Sequence, residues 1–389
     1  MDLKAKQEEG LEIDYSSEKN LKVFLKQEQA IDRQQKKRLQ YFFMKAKISD
    51  ALGPLENWMF RRRLNKYQPP HPPIFILGHW RSGTSFLQSL LGQAHGFLFF
   101  NKYQTIFPRS FLMTRKILKP LMNFALQQSK FVKSWKKGVT HNFDDLDTAS
   151  EIEVALMSQF HPTNLHWGHI FPKNSKYYFD RYLFMENLSD KELRQWERAV
   201  RFLNKKVNFT APNSSLIIKN PGSTAQVRHI RKIYPKSRFI FIHRNPYDVF
   251  YSNIKLWNRL MDNLALQQIS EEDIKENILY IYRKMHLNYL EDKRHIPPGH
   301  LVEIPYQQLG QDPLKSMKVI FEELGLGDFD KNQAYFKEYL SEIHHQKSQY
   351  AYKRKDVEHI NRDWKFMFDK YDYEIMSQMP KSKNQGKCS

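Results

Sequence analysis

The chain has 389 residues, of which 41% are apolar, so it is long enough to bury the core of one large domain or of two modest ones. Its formal net charge of +20 suits a polyanionic small ligand, an anionic lipid surface or a nucleic acid. The single cysteine, Cys388, excludes an intramolecular disulfide and a thiolate metal site, and it suits a reducing compartment. No run approaches the roughly 18 uncharged residues of a membrane span, and the charged N-terminus lacks the apolar centre of a signal peptide, so we expect a cytoplasmic protein.

The N-terminal part of the chain is expected to be helical, because apolar residues recur among many charges over residues 1–68. The four prolines between residues 69 and 73 cannot continue a helix and should lead the chain, extended, into a first strand. We therefore predict a helical extension, residues 1–73, packed on a main domain, residues 74–389.

Short apolar runs then alternate with helical patterns. A run that begins at Ile74 precedes a helical pattern, and the same order recurs three times, with strands at 216–218, 239–242 and 301–304 followed by helices near 223–234, 247–257 and 313–324. This alternation predicts an α/β fold with a parallel sheet of the P-loop type, flanked by helices on both faces. The interval from about 100 to 210 is predicted to be a largely helical insertion that closes over the C-terminal edge of the sheet, where open α/β folds bind ligands.

The segment after the first predicted strand is typical of a phosphate-binding loop. Gly78, Gly83 and Ser85 fit the pattern G-x-x-x-x-G-K-[ST] at every fixed place except the lysine, which is Thr84 here. In nucleoside triphosphatases that lysine reaches the β and γ phosphates, so its loss argues against transfer of a terminal phosphate.

The same loop offers several donors to one phosphate. Backbone N–H groups from Ser82 to Phe86 are expected to point at an anion at the helix N-terminus, with hydroxyls from Ser82, Thr84 and Ser85 beside them. Arg81 supplies a cation from inside the loop. The alternative is a glycine-containing turn that binds nothing.

A second anion site is predicted after the strand at 239–242. Arg244 follows that strand directly and so lies at its C-terminal end, and Ser252 returns on the first turns of the next helix. Both side chains can hold one phosphate.

Together the two segments resemble the sulfotransferases that use 3′-phosphoadenosine 5′-phosphosulfate. In that family an [RK]-S-G-T-[ST] loop binds the 5′-phosphosulfate, and an arginine followed eight residues later by a serine binds the 3′-phosphate. This chain has RSGTS at 81–85, and Arg244 and Ser252 have the same separation. The resemblance covers residues from about 74 to 325 and is closest to a bacterial branch.

The resemblance also implies roles for two residues at strand ends. The sequence IPYQQLGQDP at 304–313 is similar to the family's Tyr-Glu-x-Leu segment, which implies that Tyr306 flanks the adenine. Lys219 resembles the lysine that contacts the transferred sulfuryl group, so that Arg81 and Lys219 would balance the charge that grows on the leaving phosphate. The alternatives are a core tyrosine and a solvated surface lysine.

The attacking hydroxyl requires a general base. The steroid and phenol branch of the family has a histidine in a Lys-x-His-x-Pro arrangement, whereas this chain has Asn220 and Pro221 after the lysine, so the base must come from elsewhere. Other branches use a glutamate, and the segment DDLDTASEIEVAL at 144–156 is similar to a glutamate-rich segment of a bacterial branch. The candidates are therefore Glu151 and Glu153, with His141 as a third.

The two glutamates would not act together on a helix. In a helix they lie about 200° apart, so that at most one faces the cleft, and Asp147 or Ser150 would cap that helix. The alternative is that both are solvated residues of its first turn.

The remaining histidines suggest other roles. His79, beside the loop, is a candidate for the acceptor pocket. His161, His166 and His169 lie in a stretch without a fixed helical face or a carboxylate partner, so we expect no metal site.

Residues 105–137 form a basic, amphipathic and aromatic stretch. This pattern predicts a cap helix packed on its domain, and alternatively a hydrophobic acceptor tunnel or a peripheral contact with an anionic membrane at its inner surface. It favours a lipophilic acceptor such as a sterol or another lipid hydroxyl.

The sequence hypothesis is therefore a metal-independent sulfotransferase that acts on a small-molecule or lipid hydroxyl, without a nucleic-acid partner. One alternative is a P-loop phosphotransferase, which would turn over ATP with magnesium. The other is a non-catalytic basic module for nucleic acid or membrane, which would explain the charge but not two separate phosphate motifs.

Overall fold

A five-stranded, wholly parallel sheet lies at the centre of the molecule, in the order β2-β3-β1-β4-β5. The computed structural model describes residues 16–28, 31–128, 145–342 and 350–377. The strands are β1 (Ile74–Leu77), β2 (Phe97–Phe99), β3 (Ser215–Lys219), β4 (Arg238–His243) and β5 (Leu301–Pro305).

Helices cover the sheet and connect its strands. In chain order the α-helices of the described ranges are α1 (Ser17–Gln27), α2 (Lys36–Lys66), α3 (Thr84–Leu91), α4 (Lys102–Ile106), α5 (Phe111–Thr114), α6 (Leu118–Gln128), α7 (Ile152–Ser158), α8 (Trp167–Ile170), α9 (Ser175–Tyr182), α10 (Asp190–Asn208), α11 (Val227–Ile233), α12 (Pro246–Leu264), α13 (Glu271–Asp292), α14 (Tyr306–Gln311), α15 (Pro313–Leu324), α16 (Asp330–Ser341) and α17 (Arg354–Tyr371). Short 3₁₀ turns occupy Arg33–Gln35, Pro172–Asn174, Pro221–Ala225 and Lys293–His295. The predicted α/β class with a helix-flanked parallel sheet is confirmed.

Both faces of the sheet are buried, as the continuous apolar runs of its strands predict. On β1, Phe75 and Leu77 point into one hydrophobic cluster, whereas Ile74 and Ile76 point into another. On the first face Phe241 of β4 stacks on Tyr289 at 3.9 Å between ring centroids. The sheet is therefore a rigid platform whose C-terminal edge positions the loops.

The structure adds one strand that the sequence did not predict. Strand β2 is only three residues long, is half-buried and lies at the edge of the sheet, where it pairs with β3 through Phe97–Ser215 and Phe99–Ile217. A run so short carries no pattern of its own, and its pairing with β3 defines it. The described residues of 100–210 form helices, turns and one isolated bridge.

The N-terminal helices pack on this helical interval. Phe24 of α1 stacks on Trp167 at 3.9 Å, and Phe42 of α2 lies 5.5 Å from Phe160 between ring centroids. Asp50 of α2 accepts hydrogen bonds from the first N–H groups of α1 and thereby fixes the two helices together. The division at residue 73 stays a prediction.

No helix within the four described ranges is long and apolar enough to cross a membrane.

A buried ion pair connects α2 to α10. Lys206 and Glu56 form a salt bridge with side-chain exposures of 2% and 3%. Lys206 Nζ also donates to the carbonyl of Pro108 (2.6 Å), and Glu56 Oε2 accepts from the N–H of Met113 (2.8 Å). Burial lowers the pKa of Lys206 and the charge of Glu56 raises it, so each charge depends on its partner.

Replacement of this lysine should be strongly destabilising. Lys206→Met leaves the Glu56 carboxylate buried without its partner, so we expect the free energy of unfolding in urea to fall by about 3–5 kcal/mol. The control is Lys365→Met, which breaks an exposed pair with Asp369 and should cost about 0–1 kcal/mol. Equal losses in the two variants would contradict a structural role for the buried pair.

Candidate functional site

The C-terminal ends of three neighbouring strands bring the predicted site residues to one edge of the sheet. The loop from Gly78 to Gly83 follows β1, Lys219 ends β3, and Arg244 follows β4. Because β1 lies between β3 and β4 in the sheet, the loop lies between Lys219 and Arg244.

The loop after β1 needs glycine at both of its fixed positions. Gly78 has a φ of +136°, and a Cβ there would lie 2.4 Å from the carbonyl oxygen of Ile242 on β4. The N–H of Gly78 donates to Thr224 Oγ1 (2.8 Å), and that hydroxyl donates to the Gly78 carbonyl (3.2 Å). Thr224, which the sequence pattern did not single out, thus ties the loop to the turn after β3.

Tyr306 closes the other side of the loop. At Gly83, where φ is +100°, a Cβ would lie 2.2 Å from Cδ2 of the Tyr306 ring. The guanidinium carbon of Arg244 lies 4.7 Å from the centroid of the same ring. Tyr306 is half-buried and therefore packs between the loop and Arg244 instead of lying in the core.

The two predicted anion motifs meet through Arg81. Its Nε donates to Ser252 Oγ (2.8 Å), and Nη1 of Arg244 donates to the Arg81 carbonyl (3.3 Å). Arg81 itself has a φ of +72°, a left-handed conformation that costs a residue with a Cβ about 1 kcal/mol and is concentrated at functional sites. The structure thus brings together residues from the first and the second motif.

The charges around the loop favour an anion. Burial lowers the pKa of Arg81, and the positive charges of Arg259 and Arg244 lower it further, while Tyr350 raises it. Asp248 balances part of this charge, since it accepts hydrogen bonds from Nε and Nη2 of Arg244 (3.3 and 3.1 Å). An anion at the loop would relieve the repulsion between the arginines.

Lys219 is buried at the end of β3, with 6% of its side chain exposed, and it forms a salt bridge with Glu151. It is therefore not a solvated surface lysine. Glu151 is more accessible, with 20% of its side chain exposed. A cation and a carboxylate thus lie together beside the loop.

The helical relation that we assumed between Glu151 and Glu153 is not observed, although only Glu151 is accessible. Glu151 is the N-cap residue of α7 and has an extended backbone, so the helical angle between it and Glu153 does not apply. Glu151 meets Lys219, and Glu153 lies 3.4 Å from Nδ2 of the neighbouring Asn220. No side-chain hydrogen bond caps α7, so the prediction of a cap by Asp147 or Ser150 is also wrong.

The two glutamates differ in protonation. Burial raises the pKa of Glu153 to about 8; the hydrogen bond from Asn220 lowers it, and the negative charge of Glu151 raises it. Glu153 is 2% exposed and is therefore a neutral acid at pH 7, not a solvated first-turn residue. Glu151 instead forms the salt bridge with Lys219.

An apolar cavity lies beside the loop. It is lined by side chains from the loop, α8, α9, α12 and α13, among them His79, Trp80, His169, Asn253, Trp257 and Ile281. Asn253 holds the loop, because its Nδ2 donates to the Trp80 carbonyl (2.9 Å). Burial lowers the pKa of His79 to about 4, so this histidine lines the cavity in its neutral form.

His166 and His169 form a pair with 3.1 Å between their Nδ1 atoms. Burial lowers the pKa of His166 to about 4, and the charge of Glu151 raises it. Through this pair His166 contacts His169, which lines the cavity. His161 contacts Thr163 instead, and among the described residues no three His, Cys, Asp or Glu side chains are grouped to hold a metal ion. His141, the third candidate base, lies outside the described residues.

The described part of the amphipathic stretch 105–137 is divided between core and surface. Phe111 and Leu112 are buried, whereas Ile117, Leu121 and Phe124 are 61–73% exposed. Helix α6 packs on the main domain through Leu118, Met122 and Leu126, and it leaves Leu121 and Phe124 exposed on its other face.

Comparison with known proteins supports one family. A sequence model of the sulfotransferase family matches residues 72–331. The omega-hydroxy-beta-dihydromenaquinone-9 sulfotransferase Stf3 of Mycobacterium bovis is 25% identical over 328 residues, which cover 84% of this chain and 82% of that protein.

Two solved structures share the fold. Sulfotransferase STF9 from Mycobacterium avium superposes with a TM-score of 0.71 at 20% identity, over 97% of this chain and 96% of the other. Sulfotransferase STF1 from Mycobacterium tuberculosis H37Rv has a TM-score of 0.66 at 16% identity, over 84% of this chain and 88% of the other.

The neutral state of Glu153 can be tested through stability. At pH values between 4.5, its usual pKa, and about 8, its pKa in the folded protein, Glu153 is ionised in the unfolded chain but protonated in the folded one. The free energy of unfolding of wild type therefore falls as pH rises through this range. Glu153→Gln removes this dependence. Relative to wild type, the variant should therefore gain up to about 1.4 kcal/mol per pH unit across this window in urea unfolding. Glu358→Gln, at an exposed carboxylate, is the control. A pH-independent difference between wild type and Glu153→Gln would show that Glu153 is ionised in the folded protein.

Proposed function

This chain belongs to the sulfotransferase family and is an enzyme of sulfuryl transfer, and we propose that it moves the sulfuryl group from 3′-phosphoadenosine 5′-phosphosulfate to the hydroxyl of a lipophilic alcohol. The observation that carries the donor proposal is the contact between the two anion motifs. Arg81 of the loop meets Ser252, and Arg244 reaches the backbone of Arg81.

A nucleotide with phosphates at both ends of its ribose matches this arrangement. The loop from Ser82 to Phe86 starts helix α3 and offers its N–H groups to a 5′-phosphosulfate. Arg244 and Ser252 are the proposed ligands of a 3′-phosphate. Tyr306, which packs on Gly83 and Arg244, is the proposed neighbour of the adenine.

In the proposed reaction the acceptor oxygen attacks sulfur, and the bond between sulfur and the bridging phosphate oxygen breaks. The electron pair of that bond stays on the phosphate, which leaves as adenosine 3′,5′-bisphosphate. Arg81 and Lys219 are the proposed cations that stabilise the developing charge. No metal is required for this step.

Glu151 is the proposed general base, because it forms the salt bridge with Lys219 at the end of β3 and is the more accessible of the two glutamates. Glu153 already carries its proton at pH 7 and cannot accept another. Glu153 instead accepts a hydrogen bond from Asn220, the residue after Lys219, and both side chains are buried.

The apolar side chains around the small cavity beside the loop, Trp80 and Trp257 among them, are the proposed contacts of an apolar acceptor chain. The name of the relative Stf3 identifies a hydroxylated menaquinone as its acceptor, a lipophilic alcohol. We propose an acceptor of this class, a sterol or another lipid hydroxyl, met in the cytoplasm.

The other hypotheses fit less well. A phosphotransferase would need the cation that Thr84 replaces. A nucleic-acid-binding module would not require an arginine, a serine and a tyrosine to converge on one glycine loop.

Binding of the product tests the donor proposal. We expect Arg244→Ala and Ser252→Ala to lose about 10- to 100-fold in affinity for adenosine 3′,5′-bisphosphate, because each removes a hydrogen bond to a charged phosphate. The affinity for adenosine 5′-phosphate, measured by the same calorimetric titration, should change less. Arg354→Ala, at an exposed arginine, is the control. Equal losses for both nucleotides would reject the 3′-phosphate assignment.

Turnover tests the base. With a radiolabelled-sulfate donor and a panel of sterols, lipids, phenols and glycans, Glu151→Gln should lower kcat by about 10²- to 10⁴-fold, the usual contribution of a general base. Bisphosphate affinity should be retained. Glu153→Gln, which keeps a neutral group in place, should lower kcat far less. A larger loss in Glu153→Gln than in Glu151→Gln would move the base to Glu153.

A further inference from the structure

Helix α2 presents an apolar stripe to solvent. Its exposed large apolar side chains are separated by three, four, seven, three and one residues, and we name them the α2 stripe: Tyr41, Met44, Ile48, Leu55, Trp58 and Met59. At 100° per residue these six positions fall within an arc of about 100°. Each is between 44% and 80% exposed, and Trp58 is the most exposed.

The stripe is not the face on which α2 packs. Phe42, Ala46 and Leu64 are buried on the opposite side of the helix, against the core. The helix is thus apolar on two opposite faces, and packing among the residues that the structure describes accounts for one of them. A contiguous exposed apolar face of this length marks an interaction surface.

The charges around the stripe have one sign. Exposed lysines and arginines lie on the same face or at its margins: Lys37, Lys47, Arg62 and Lys66. The two acidic residues of α2 are both used inside the protein, since Asp50 binds Arg109 and Glu56 binds Lys206. The partner should therefore be apolar and anionic.

These charges exclude a second copy of the chain as the favoured partner. Two α2 helices paired through their stripes would bring lysines and arginines against each other, with no acidic side chain of α2 to balance them. An anionic lipid bilayer instead offers hydrocarbon to the stripe and phosphate headgroups to the lysines and arginines, and a tryptophan is favoured at that depth.

We propose that the α2 stripe docks the protein on the surface of an anionic bilayer. The inference goes beyond the proposed function and does not depend on the donor or the base. It also gives a lipid hydroxyl a short route to the candidate site. Helix α2 contacts α7, since Lys45 of α2 donates to Ser158 (3.0 Å) at the end of α7, and Glu151 is the N-cap residue of α7. The docked helix therefore lies one layer from the candidate site.

Vesicle co-sedimentation tests the proposal on the full chain. We expect wild type to bind vesicles made of equal parts phosphatidylcholine and phosphatidylglycerol, and to bind phosphatidylcholine vesicles at least about tenfold more weakly. Leu55→Asp should lower binding to the anionic vesicles about tenfold or more, and Trp58→Ala should lower it in the same direction. Leu287→Asp is the matched control, because Leu287 is similarly exposed (40% against 47% for Leu55) but lies on α13.

Circular dichroism and calorimetry with adenosine 3′,5′-bisphosphate establish that the variants are folded and keep their nucleotide site, independently of whether the enzyme assay succeeds. Equal vesicle binding by wild type, Leu55→Asp and Trp58→Ala would overturn the proposal. So would a concentration-dependent dimer in light scattering that Leu55→Asp dissociates, in a protein that does not bind vesicles. If nucleotide binding fails while vesicle binding depends on the stripe, the donor proposal falls and the docking surface stands.

Discussion

The candidate site depends on the close approach of four backbone and side-chain groups to the loop after β1. The Ile242 carbonyl fills the space beside Gly78, and the Tyr306 ring fills the space beside Gly83, so neither position has room for a Cβ. Because β1 lies between β3 and β4, the loop also receives Thr224 from one side and Arg244 from the other. The fold thereby builds a shell around a loop that has N–H groups to offer to an anion.

Electrostatics divides this shell into two parts. On the β4 side, Arg81 and Arg244 carry charges that Asp248 only partly balances, which favours binding of an anionic ligand. On the β3 side, Lys219 is paired with Glu151, so a cation and the proposed general base lie together. A sulfuryl transferase needs both parts: an anion-binding side for the nucleotide and a cation with a base where charge and proton move.

The N-terminal helices connect this chemistry to the surface of the molecule. Helix α2 is held from inside by the Lys206–Glu56 pair and by contacts to the helical interval, and it leaves the α2 stripe on the outside. The same helix therefore serves the core and, as proposed, a lipid surface. The proposed lipophilic acceptor and the proposed docking helix are consistent with a substrate that is drawn from a bilayer.

The sequence alone determined what depends on neighbours along the chain. The glycine spacing, the RSGTS segment and the Arg244–Ser252 interval are local patterns, and so are the apolar runs of the four longer strands; they predicted the α/β class and the loop. The tertiary structure alone decided what depends on contacts across the chain. It paired the three-residue strand β2 with β3, placed Thr224 under the loop, and gave Glu151 an extended backbone so that it meets Lys219 while Glu153 is buried and neutral. Burial and partner distance set the charge of a carboxylate, and neither can be read from sequence spacing.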